Sequence, residues 1–201
     1  MTKISASLRS TGALVCLFFL SACHTTGPAP AAANEIAVIA PIPRVELSPN
    51  DPDYLHTHLK QFGLTPLAET APHLVTERYR FLWIRSFHPA ALFEVEYTAN
   101  GIGTYRASLW KDHRWVAQKT FQGADKKEFD GYRHMVAAYD MFHLPWWDSS
   151  GGLDGSEWFI ELVRGDQHHE IYRWSPEEGP VRTFGETLIE AGVDSPFMPI
   201  Y

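Results

Sequence analysis

The chain has 201 residues, a net charge of −7, 45% hydrophobic residues and an aromatic set of seven Trp, eight Tyr and twelve Phe. That length supports one domain with a sizeable core. The acidic balance argues against nucleic acid as a partner and against adhesion of the domain itself to an anionic membrane surface.

Residues 1–22 read as an export signal. Lys3 and Arg9 make a positive start, Gly12 to Leu20 an apolar core, and Ser21-Ala22 the small residues before a cut. The core is about half of the roughly 20 residues that a spanning helix needs, so an uncleaved transmembrane helix is the poorer expectation. The run Leu20-Ser21-Ala22-Cys23 resembles the lipobox of a bacterial lipoprotein signal peptide. The resemblance implies that Cys23 becomes the first mature residue, with diacylglycerol on its sulfur and a further acyl chain such as palmitate on its amine. At about 0.8 kcal/mol per buried CH₂, two or more chains anchor stably where one does not. By the sorting rule of enterobacteria, Asp after the lipidated cysteine retains a lipoprotein in the inner membrane. His24 stands there instead, so an outer-membrane anchor with the domain in the periplasm is expected. Loss of residues 1–22 removes Cys16, Lys3 and Arg9 and no acid, which takes the charge from −7 to −9. No disulfide and no cysteine metal ligand then remain.

Residues 23–50 are the lipidated cysteine and a Pro/Ala-rich tether without amphipathic period. At about 3.1 Å per residue in polyproline II, residues 24–50 reach roughly 80 Å when fully extended. Ile36-Ala37-Val38-Ile39 reads as linker rather than as an edge strand that docks on the domain. Residues 51–201 are the single globular domain. Tyr54, Leu55, Leu59 and Phe62 predict a short helix before the sheet. Tyr79, Phe81, Trp83 and Phe87 alternate with polar residues, as do Phe93, Val95 and Tyr97, and both stretches read as strands. Asn100-Gly101 marks a tight hairpin turn. Tyr105, Ala107 and Leu109 form a third strand and Trp115, Ala117 and Phe121 a fourth. Phe129, Tyr132, Val136, Tyr139 and His143 then step as one helix face up to Pro145, with Asp125 and Glu128 as a capping pair. Strands over Glu157–Arg164 and Glu170–Trp174 are followed by a helix begun at Pro180, with Val181, Phe184, Leu188 and Ala191 on one face. The fold class is α+β: an antiparallel sheet of about six strands packed by two helices. The helix faces match at an offset of 52 residues, which suits two ββα units or two generic hairpin–helix units.

The chemistry-bearing residues form no coherent catalytic set. His168 and His169 point to opposite faces of a strand, and His56 and His58 lie about 200° apart on a helix, so neither pair shares an ion. No metal and no cofactor is expected. Ser108-Leu109-Trp110-Lys111 matches Ser-x-x-Lys without its companion motifs and reads as a strand end with a solvent-facing Ser108. Glu94 and Glu96 share a strand face at roughly 7 Å, the spacing of inverting glycosidases, but occupy the polar half of an alternation and are expected in solvent. Glu157 and Glu161 lie roughly 13 Å apart along their strand, too far for that chemistry. Glu161 and Arg173 are expected as a cross-strand pair. The most unusual composition is the Leu144–Trp158 stretch, where Trp146, Trp147 and Trp158 flank a Gly/Ser loop. It reads either as an aromatic platform for a sugar, peptide or protein partner, or as core that caps the sheet end, the second being favoured. Asp154-Gly155-Ser156-Glu157-Trp158 with Arg173-Trp174-Ser175-Pro176 resembles uncharacterised bacterial lipoproteins, a resemblance confined to the last third of the chain that implies no activity. The expected function is therefore a membrane-anchored envelope lipoprotein with a non-enzymatic binding domain for an envelope protein or glycan. The alternatives are a periplasmic hydrolase of peptidoglycan or another glycan using Glu94, Glu96 or Glu157, and a small-ligand or inhibitor-type module using the Trp146–Trp158 loop.

Overall fold

The structure is a computed structural model, and it describes residues 48–51, 53–70, 75–123 and 126–192. The signal, Cys23, the tether up to residue 47 and the Asp125 cap fall outside the described residues. The elements are α1 (Tyr54–Gln61), α2 (Leu67–Thr70), β1 (Val75–Arg85), β2 (Ala91–Thr98), β3 (Gly103–Lys111), β4 (Arg114–Gly123), α3 (Lys126–Ala138), a 3-10 turn (Met141–His143), β5 (Ser156–Arg164), β6 (Gln167–Trp174) and α4 (Pro180–Ala191). The strands form one open antiparallel sheet in the order β4-β3-β2-β1-β5-β6. The fold is the expected α+β sheet with two helices packed on one face, and α1 joins it on the other. None of the described helices is long and apolar enough to cross a membrane.

One face carries Tyr79, Phe81, Trp83, Phe93, Val95, Tyr97, Tyr105, Trp158, Ile160 and Leu162, all essentially without solvent contact beneath α3 and α4. Burial of side chains this large contributes about 1.5–3 kcal/mol each. Two strand tyrosines tie the sheet to the helices, Tyr97 donating to the Phe129 carbonyl and Tyr105 to that of Leu188. α4 opens with Pro180 in its first turn and lies close enough that a Cβ on Gly185 would come within 2.3 Å of the Trp158 ring.

The opposite face is covered in part by α1. Leu55, Leu59 and Phe62 pack on Leu82, Leu92 and Phe159, with Trp110, Trp115, Trp146 and Trp147 around them. The two sheet edges are treated differently. At β6, the Tyr172 N–H donates to the Trp146 carbonyl (2.7 Å) and the Trp174 N–H to Ser150 Oγ (3.2 Å), so the 146–150 segment occupies that edge. Among the described residues β4 has no strand beyond it, and it carries a bulge together with the charged Arg114 and Lys119, devices that blunt an edge against further pairing.

The bulge corrects the reading of the fourth strand. Ala107 pairs with Lys119 but Ser108 with Ala117, which leaves Gln118 extra. Phe121 therefore joins the α3/α4 face, whereas Trp115 turns to the α1 face and donates its indole N–H to the Phe62 carbonyl (3.0 Å). Two further boundaries shift. β1 stops at Arg85, because Ser86 is drawn onto the Gly155 carbonyl, and Phe87 is left 65% exposed. α3 ends at Ala138. Asp140 adopts a left-handed conformation (φ 49°), so Tyr139 and His143 leave the helix face and are exposed.

The two halves correspond residue by residue. The pair Leu109–Val116 in the β3–β4 hairpin matches Leu162–His169 in the β5–β6 hairpin at an offset of 53. Beyond Gln118 the offset drops to 52 and holds through the helices, where Tyr132 matches Phe184 and Val136 matches Leu188. Successive antiparallel pairings make β3 and β5 run oppositely, and β4 and β6 likewise. The β3-β4-α3 and β5-β6-α4 units are thus related by an approximate half-turn about an axis perpendicular to the sheet. Met135 and Thr187, equivalent at 52, meet across α3 and α4 at 3.8 Å.

Candidate functional site

Glu94, Glu96, Glu157 and Glu161 all lie on the α1 face, which for Glu94 and Glu96 is not the solvated surface their alternation predicts. Glu94 contacts Arg80 (3.1 Å), Arg106 (3.8 Å) and Arg78 (3.9 Å), and Glu96 contacts Arg78 at 2.8 Å. Glu161 is 4% exposed; it accepts from Arg80 (2.9 Å) and from the Leu67 N–H (2.7 Å). Arg80 also donates to the Thr65 carbonyl at 2.8 Å. Burial pushes the Glu161 carboxyl above the usual range, while Arg80 and the Leu67 amide pull it back. These bonds fasten the 65–67 segment to the sheet.

Glu157 accepts from the Tyr54 hydroxyl (2.9 Å) and lies 3.3 Å from His58 Nε2. His58 Nδ1 is 2.8 Å from the Tyr54 carbonyl, so Nδ1 must carry hydrogen there. Burial raises the Glu157 carboxyl, against the lowering effect of His58 and Tyr54. The arrangement docks the first turns of α1 on β5. His56 reaches Glu170 at 3.3 Å, and a ring nitrogen of His169 lies 2.7 Å from the Leu144 carbonyl. A cavity of about 470 Å³ opens beside His56, Trp146, His168, His169 and Glu170. Among the described residues no three His, Cys, Asp or Glu side chains are placed to hold a metal ion.

Two further expectations are corrected. Ser108 is buried (3%) on the α1 face, and Lys111, three residues along the same strand, points the other way, so the Ser-x-x-Lys pair cannot converge. Glu161 stands opposite Glu170, not Arg173. Arg173 stands opposite Trp158 and gathers the Pro145 carbonyl (2.9 Å), the Trp146 carbonyl (3.1 Å) and Asp148 (3.1 Å).

The three tryptophans of the Gly/Ser loop region do not share a surface. Trp158 has no solvent contact and lies 4.8 Å from Phe81 beneath α4, with its N–H on Ser156 Oγ. Trp146 belongs to the α1 side and donates to the Pro49 carbonyl at 3.1 Å, and Trp147 packs in the same cluster. The open feature of this region is instead a cleft of about 710 Å³ between the 148–154 loop and the chain from Arg173 to Val181. Asp148, Asp154, Glu177 and Glu178 line it together with Arg173 and Trp174. Glu177 and Glu178 were not singled out from sequence, and Trp174 was named there only as a strand end and within the Arg173–Pro176 run. Gly155 (φ 152°) makes the turn possible, because a Cβ would meet Ser175 Oγ at 2.4 Å. Compared with known protein families and with curated proteins, the sequence matches none.

Proposed function

We propose that this chain is a cell-envelope lipoprotein, anchored to the outer membrane through lipid on Cys23, whose periplasmic domain binds a partner rather than transforming a substrate. The observation that carries the reading of the domain is how its charged groups are used. Glu94, Glu96, Glu157 and Glu161 are each bonded to Arg, His or Tyr side chains that hold α1 and the strands together, while the loop over residues 148–155 borders an open cleft. A glycosidase needs one carboxyl poised to give a proton and a second facing a water or the sugar. Glu94 is held among three guanidinium groups and Glu157 beneath α1, so the hydrolase alternative draws no support from this geometry. The anchor reading rests on the Leu20–Cys23 run and the tether that follows it.

The test replaces Cys23→Ser in the full chain and fractionates the cells. The variant is expected to leave the membrane fraction or to remain unprocessed, with its domain still protease-resistant. Unchanged processing and membrane retention would overturn the anchor. A photocrosslinking residue at Leu153 in the anchored protein tests the domain: a specific envelope protein or glycan is the expected adduct, and turnover of peptidoglycan by the purified chain would overturn the binding reading.

A further inference from the structure

We infer that the 148–181 cleft and the loops beside it form a docking site for an extended polypeptide segment that carries both basic and apolar side chains. The inference rests on the binding-module reading above and names the chemistry of the partner. Three large apolar side chains are exposed among the described residues: Leu153 at 85%, Phe87 at 65% and Tyr139 at 39%. Two of the three, Leu153 and Phe87, lie at the same end of the sheet. The Ser86 N–H and hydroxyl donate to the Gly155 carbonyl (3.1 and 2.8 Å), and Ser175 Oγ accepts the Ser156 N–H (2.7 Å). The turn that bears Phe87, the loop that bears Leu153 and the wall that begins at Ser175 are therefore stitched into one surface. Isolated apolar side chains are ordinary on a surface; neighbouring ones beside a cleft mark a contact.

The cleft supplies the charge. Four carboxylates line it against one guanidinium, and Arg173 is already spent on Asp148 and on three backbone carbonyls. Asp154, Glu177 and Glu178 make no ion pair among the described residues. A ligand that satisfies them carries Lys or Arg, and one that also covers Leu153 and Phe87 is long enough to span cleft and loops. An anionic bilayer is repelled by the same carboxylates. A sugar held in the cleft would stack on the aromatic ring that lines it. Trp174 lies under the loop, where a Cβ on Gly152 would stand 2.5 Å from its indole nitrogen. The main chain of β6 is occupied by the 146–150 segment, so recognition works through side chains and not by adding a strand.

The experiment uses the full chain in zwitterionic detergent, with empty micelles as the blank. Fluorescence anisotropy follows a labelled decapeptide of alternating Leu and Lys and its Leu/Glu counterpart. The basic peptide is expected to bind, more weakly as salt rises, and the acidic one not to bind. Leu153→Ser and Phe87→Ser should each weaken binding about fivefold, and Glu177→Lys with Glu178→Lys about tenfold or more. Asp166→Lys, in the exposed β5–β6 turn at the other end of the sheet, should leave it unchanged. Equal binding by the cleft variants, equal loss in Asp166→Lys, or binding only to anionic vesicles overturns the assignment. Photocrosslinkers at Leu153 and at Lys119 on β4 separate the two levels of the argument. Capture of one envelope protein from Lys119 alone overturns the cleft and leaves the binding module standing, whereas capture from neither position overturns both.

Discussion

The sheet has two faces of similar aromatic richness that are held by different physics. Under α3 and α4 the contacts are rings against rings, with Phe81 stacked on Phe93 at 5.6 Å and Trp158 4.8 Å away. Under α1 the rings surround a strip of charge that runs from Glu96 through Arg78, Glu94 and Arg80 to Glu161. An apolar face tolerates partial repacking, since its contacts are non-directional. A buried ionic strip fixes register but fails sharply when one member is removed.

The largest expected effect tests that contrast. Glu161→Ala should cost about 3–5 kcal/mol in urea unfolding, because it takes one of two carboxylate partners from the buried Arg80 and leaves the Leu67 N–H without its acceptor. Joining Arg80→Met to Glu161→Leu should recover most of that loss; a double variant as unstable as the single one would show that the strip is not a pairing effect. On the other face, Trp158→Ala should also cost about 3–5 kcal/mol. There, Gly185→Ala should cost about 1–3 kcal/mol by overpacking against Trp158, and Trp158→Phe should relieve it in the double variant. Additive losses would show that the helix can shift to make room.

The pH dependence sharpens the comparison on the ionic side. Burial holds the Glu157 carboxyl above its usual 4.5, so the folded chain binds that proton more tightly than the unfolded chain. The resulting stabilisation is complete below the unfolded value and is lost as pH rises through the folded one, at no more than about 1.4 kcal/mol per pH unit. Glu157→Gln should therefore flatten the fall in stability from pH 4.5 toward neutrality. An unchanged slope would assign that fall to other groups. Smallest of all, Arg106→Ala should change stability by about 0–1 kcal/mol, since Arg106 is 55% exposed and meets Glu94 only at 3.8 Å.

Much of the frame was legible because local period reports it. Phe93, Val95 and Tyr97 alternate and are buried together, and Val181, Phe184 and Leu188 step as a helix face and pack as one. The period failed where the chain departs from regular pairing. One extra residue at Gln118 sends Trp115 and Phe121 to opposite faces, and nothing about Gln118 itself announces a bulge. The candidate site was less legible than the fold. Trp158 and the Glu157 beside it read as the start of a strand that also closes the Gly/Ser-loop stretch, and only the fold put them on the helix-covered and α1-covered faces respectively. Trp174, Glu177 and Glu178 became a cleft wall only when the 148–154 loop folded across them.

The sequence by itself determined the α+β class of the described residues, since residue type and spacing dictate strand and helix. Its Leu20–Cys23 run also directed attention to an anchor. Only the tertiary structure decided what the polar half of each strand faces. Glu94 and Ser108 look solvent-bound by alternation and are covered, because exposure depends on what packs over a face. The partner that makes the Glu161 charge tolerable, Arg80, lies 81 residues away in the chain. Local periodicity carries no record of a contact at that separation.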